Sequence, residues 1–121
     1  MSLADRIKAA PSTRKRELVD TPEWADLLEG DEVYARSLNA LQRAAFMDGM
    51  TVTQGLHGPE GKINLASLLP HVTDLIVDKD GTPLFDLAER EMLCEDHPDV
   101  VGRVLTTAIN LTNFDTDAAK N

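Results

Sequence analysis

Apolar residues recur at helical spacing along much of the chain. Leu3, Ile7 and Ala10 share one face of a helix over residues 2–10, with Ser2 as its N-cap and Pro11 as its stop. Leu38, Leu41 and Ala45 make a narrow stripe, with Phe46 and Met50 beside it, and predict a helix over 38–50. Asn39 with Gln42 three residues on is a capping box for that helix. Leu65, Leu68, Leu69, Val72, Leu75 and Ile76 form the strongest stripe, opened by Asn64. Pro70 interrupts it, because a proline removes one backbone bond, so a kink at 66–70 or a helix starting near Pro70 is expected. Val101, Val104, Leu105, Ala108 and Leu111 give a clean face to a last helix, which starts at Pro98 and runs to about Asn113.

Between these stretches the pattern changes. Residues 15–20 and 33–36 read as short strands of a loose β-hairpin. A short helix at 22–29, with Thr21 as N-cap and Pro22 at its first position, competes for the linking segment, and the two assignments stand side by side. Gly55, Gly58, Pro59 and Gly61 mark 51–62 as a flexible loop. Asp80-Gly81 signals a turn, and Asp86 with Glu89 opens a short helix to about Cys94. The sum is a mainly α fold of four to five helices with room for one N-terminal β-hairpin. The expected organisation is one domain spanning 1–121, with its core at about 15–114 and a frayed tail at 115–121. The stripes at 64–76 and 98–112 should form the core together.

Composition narrows the chemistry. Lys and Arg number 12 against 21 Asp and Glu, a formal charge of −9. Such a surface repels nucleic-acid phosphates and anionic lipid, and attracts basic or amphipathic protein partners. The charge is polarised along the chain. Arg6, Lys8, Arg14, Lys15 and Arg16 precede an acidic block of Asp20, Glu23, Asp26, Glu29, Asp31 and Glu32, an asymmetry able to align subunits head to tail. The single cysteine, Cys94, fits a reducing cytosol, and no apolar run is long enough for a secretory signal or a membrane span.

Catalytic readings fail one by one. His57, His71 and His97 lack metal-ligand spacing, and there is no HExxH, CxxC or phosphate loop. Residues 78–81 hint at a calcium loop, but Ile76 and Leu87 stand where acidic ligands are required. Glu95 and Asp96 beside Cys94 disfavour a thiolate. The chain is expected to be no enzyme and to carry no cofactor or metal.

The run Leu75-Ile76-Val77-Asp78-Lys79-Asp80-Gly81-Thr82-Pro83-Leu84-Phe85 resembles the "aliphatic run, D-x-D-G-x-P-L-F" turn of the tail assembly chaperones of long-tailed bacteriophages. Asp86, Leu87, Glu89 and Leu93, then Ala108-Ile109-Asn110-Leu111, stand at the places of that family's acidic helix start, leucine and Leu-Asn helix end. Upstream, Trp24, Val33-Tyr34-Ala35-Arg36, Leu38 and Arg43-Ala44-Ala45-Phe46 are similar to its "W…VxVR.L…R..F" pattern. The resemblance covers about two thirds of the chain. A long Trp24–Val33 spacing, the 51–62 segment and Pro70 depart from the pattern.

The resemblance implies a protein of the host cytoplasm, absent from the mature virion, that binds the tape measure protein, keeps it soluble and helps recruit the tail tube protein. It implies homo-oligomers, as rings or spirals, and a longer frameshifted form, with which Lys120-Asn121 is compatible. The alternative is a small structural tail or connector component of the virion. Trp24, Leu27, Leu28, Tyr34, Phe46 and Met50 are the candidates for a protein-binding surface, with core packing as the competing role for Trp24, Tyr34 and Phe46.

Overall fold

The computed structural model describes residues 2–57 and 65–112, with 49–57 defined by their backbone. Along the chain these form helix α1 (Leu3–Ala9), strand β1 (Arg16–Leu18), a single 3₁₀ turn at Pro22–Trp24, strand β2 (Tyr34–Arg36) and helix α2 (Ala40–His57). A 3₁₀ segment (Ala66–His71) then leads into α3 (Val72–Leu75), β3 (Ile76–Val77), a 3₁₀ turn at Leu87–Glu89, α4 (Arg90–Asp96) and α5 (Pro98–Leu111). The fold is mainly α, with five α-helices and one small antiparallel sheet among the described residues.

The sheet has the order β1-β2-β3, with Glu17 opposite Ala35 and Ala35 opposite Ile76. Both assignments for residues 15–36 therefore hold, although the helical turn spans only Pro22–Trp24. Ala35 and Ile76 have no exposed surface. They face a core of Leu68, Val72, Leu75, Leu93, Val101, Val104, Leu105 and Ala108. The two stripes expected to pack together do so, and β2 and β1 cover the other side of α5.

Local signals account for most boundaries. Asp5 N donates to Ser2 Oγ (3.2 Å) at the start of α1. Gln42 N donates to Asn39 Oδ1 (2.8 Å) and Asn39 N to Gln42 Oε1 (2.9 Å), closing the capping box of α2. Asp86 and Glu89 close another before α4. The far end of α5 is tied in by Thr112, whose Oγ1 donates to Ala108 O (2.7 Å) and accepts from Leu38 N (2.8 Å).

The 64–76 stripe breaks at Pro70 as expected: Ala66–His71 is 3₁₀, with Pro70 inside it, and α3 starts at Val72. Three other expectations need correction. Ile76, placed in that stripe by spacing, belongs to β3, because its backbone pairs with β2. Helix α2 does not stop at 50 but runs to His57 and takes in the first part of the expected 51–62 loop, since a single glycine such as Gly55 costs only about 1 kcal/mol in a helix. Leu41 is not on the buried side of α2; it is 79% exposed, while Gln42 (2%) and Phe46 turn inward. Asn64, residues 58–62, the 115–121 tail and the side chains of Met50 and His57 lie outside the described residues.

Candidate protein-binding surface

The acidic segment between β1 and β2 is fastened to the helical core at two points. Trp24 is buried, and its Nε1 donates to His97 Nδ1 at 3.1 Å. The two rings meet edge-on at 5.3 Å, and Phe85 lies at 5.9 Å from the indole. His97 sits in the break between α4 and α5, so a residue otherwise notable only for preceding Pro98 anchors the only tryptophan. The second fastening is Arg103 of α5, which donates to Asp20 O at 2.7 Å and pairs with the Glu23 carboxylate. That hydrogen bond holds the Glu23 carboxyl below its ordinary range.

With Trp24 pinned, the chain turns back on itself. Leu27 N and Leu28 N both donate to Trp24 O (2.8 and 3.1 Å), and Asp31 N donates to Leu28 O (2.8 Å). Glu29 and Gly30 take positive φ values of 49° and 94° to complete the turn. Leu28 packs on the edge of the core, whereas Leu27 is left 70% exposed. Tyr34 is half-buried on the sheet, and Phe46 is buried. Of the six candidates, then, Leu27 is exposed, Leu28 and Tyr34 are partly so, Trp24 and Phe46 are buried in the core, and the Met50 side chain lies outside the described residues. Leu18 of β1 and Leu84 are further exposed aliphatics on the sheet side, which spacing did not single out.

Beside this turn, Gly30–Glu32, Asp78–Asp80 and Leu84 line an open recess of about 250 Å³. Its carboxylates outnumber its one lysine. The 78–82 turn is held by Asp78, whose Oδ1 accepts from Asp80 N (2.8 Å) and Thr82 N (3.0 Å), and by Gly81 at φ 87°. The N–H of Thr82, then those of Asp80 and Gly81, and the charge of Arg16, outweigh burial and keep the Asp78 carboxyl below its usual range. Leu84 N donates to Ile76 O (3.2 Å), folding the run after the turn back along β3.

The other polar cluster is structural. Asp74 receives Arg36 Nη2 (2.6 Å), Arg14 Nη2 (2.9 Å) and Gln42 Nε2 (2.6 Å), and its backbone carbonyl takes Arg36 Nε (2.8 Å). Arg36 Nη1 also reaches Gly81 O (3.1 Å), and Arg14 Nε reaches Ser37 O (2.9 Å). Burial pushes the Asp74 pKa up, but the hydrogen bonds of Arg14 and Gln42 and the charges of both arginines prevail and hold it below the ordinary value. The cluster joins the segment before β1 to β2, α2 and α3. Every oxygen of the carboxylate is engaged by a donor, which suits a fastening. Among the described residues, no group of three His, Cys, Asp or Glu side chains is placed to hold a metal ion, and no helix is long and apolar enough to cross a membrane.

The architecture defines a class: a mainly helical domain whose small antiparallel sheet packs on its C-terminal helix. That fold is shared with the solved structure of the bacteriophage HK97 tail assembly chaperone, at 24% sequence identity and a TM-score of 0.54, over 92% of this chain and 93% of that one. No protein-family description matches the chain, and no curated protein matches its sequence.

Proposed function

We propose that this chain is a tail assembly chaperone of a long-tailed bacteriophage. It binds the tape measure protein in the host cytoplasm, keeps that long helical client soluble, helps recruit tail tube subunits, and is left out of the finished virion. It acts by contact, without catalysis, as a single domain that self-associates. The observation that carries this reading is the near full-length likeness to the HK97 chaperone fold, together with the Asp78–Phe85 run that resembles the family's turn.

The surface chemistry supports it. A holdase needs a charged, soluble body that offers apolar side chains to an amphipathic helix. Leu27 is exposed on an acidic turn, with Leu28 packed on the edge of the core beside it and the turn anchored by the buried Trp24. A client helix with one apolar and one basic face would meet complementary groups there.

Co-expression with the phage's tape measure protein tests the reading. The expected result is a soluble complex whose yield falls when Leu27 is replaced by Asp, with the variant's own fold intact by circular dichroism. A client that aggregates equally with and without the chaperone would refute it. So would recovery of the chain as a component of purified virions.

A further inference from the structure

One hydrogen bond fixes the protonation state of His97. The indole Nε1–H of Trp24 can only donate, so the His97 Nδ1 that meets it at 3.1 Å carries a lone pair, and the imidazole is neutral with its proton on Nε2. Among the described residues, Trp24 is the one side chain hydrogen-bonded to that ring. A second proton on the imidazole would go to Nδ1 and set N–H against N–H, turning an attraction into a repulsion. Histidine is the side chain whose charge ordinarily changes between about pH 5 and pH 8. The charged groups on the elements around this ring are Glu23 on the turn, Asp86 next to Phe85, Glu95 and Asp96 on α4, and Asp99 and Arg103 on α5. Arg103, the one cation among them, is paired with Glu23.

We propose that His97 is a positioning residue for client binding: neutral, it holds Trp24 and with it the turn that presents Leu27, and charged, it releases that turn. The inference rests on the client surface proposed above. Leu27 N and Leu28 N both donate to Trp24 O, so the place of the exposed leucine follows that of the tryptophan. Release is confined to the turn, because the segment is held independently at its base. There Val19 N donates to Val33 O (2.8 Å), and Arg103 binds Asp20 O and the Glu23 carboxylate. The hydrogen bond from Arg103 holds the Glu23 carboxyl below its ordinary range, so this second fastening stays charged across the pH range in which a histidine titrates. Mild acid therefore loosens the client surface and leaves the helical core folded.

The chain has one tryptophan, so its fluorescence reads this site alone. Acrylamide quenching of the full chain, from about pH 8 to about pH 5, should show the accessible fraction of the indole rising by about fivefold or more, the change that loss of one hydrogen bond gives. Far-UV circular dichroism should stay constant over the same range. H97N puts an amide oxygen where Nδ1 stands and takes up no charge, so it should keep the indole sheltered and flatten the pH profile. H97A should leave the indole accessible already at neutral pH. In co-expression, the yield of soluble tape measure protein should fall with H97A and be restored with H97N. Wild-type access that is constant with pH, an H97N profile matching the wild type, or a change of intensity with no change in acrylamide access would each overturn the release. An indole freed by H97A with client yield at the wild-type level would overturn the positioning role. A client that aggregates even beside the wild-type chain would remove the chaperone reading, while the pH profile of the chain alone would still decide the release.

Discussion

Helices α1 and α5 carry the same kind of sequence signal and meet opposite fates. In α5, Val101 and Leu105 stand one turn apart, and Val100, Val104, Ala108 and Ile109 widen the stripe; all six are buried. In α1, Leu3 and Ile7 stand one turn apart and remain in solvent. Spacing establishes that a segment can be helical with an apolar side. Whether that side is buried depends on another element presenting a matching surface, which β2, α3 and α4 do for α5. An unmatched stripe is thus a statement about partners, and α1 is where this chain makes it.

The contrast is broken most directly at its strong end. Leu105→Ala should lower the unfolding free energy by about 3 kcal/mol in urea denaturation, through lost burial and the cavity left behind. A loss below about 1 kcal/mol would mean that α5 is not the spine of the core. Next comes the fastening between the N-terminal segment and the helices. Asp74→Asn leaves two arginines short of a counter-charge, and with the site about one-third open to water we expect a loss of about 2 kcal/mol near neutral pH. The Asp74 carboxyl titrates below its unfolded value in the native state, so its contribution is complete above about pH 4 and fades as pH falls through the folded value. The gap between wild type and variant should therefore be constant at neutral pH and narrow in acid. A gap that widens in acid would contradict the charge pairing.

Smaller effects sharpen the same boundary. Gly81→Ala should cost about 1–2 kcal/mol by thermal unfolding, since its φ of 87° disfavours a side chain and the new Cβ would lie 2.8 Å from an Arg16 nitrogen. At the weak end, Ile7→Ala should change the stability of the dilute monomer by less than about 0.5 kcal/mol. A loss matching that of Leu105→Ala would show that α1 belongs to the core after all.

Much of the local structure was legible because its causes are local. The Asn39–Gln42 and Asp86–Glu89 boxes, the Ser2 cap, the Asp80-Gly81 turn and the Pro98 start each need only residues within one helical turn. The candidate surface was less legible. Trp24, Leu27 and Leu28 are adjacent in sequence, yet one is buried, one exposed and one between, because the turn that separates them is set by His97 and Arg103, more than seventy residues away. The acidic recess joins two loops some fifty residues apart, and no periodicity marks it.

The chain's own letters determined most of the helical segments and where they start, that one apolar face must be packed against another, and that the sequence is acidic after a basic start. These follow from propensities, caps and charge, which act over a few residues. Tertiary structure decided that Ile76–Val77 pairs with β2, that Gln42 rather than Leu41 faces inward, that Asp74 gathers two arginines, and that Leu3, Ile7 and Leu27 stay uncovered. Those outcomes depend on distant segments competing for the same limited interior, and no stretch of sequence carries the result of that competition alone.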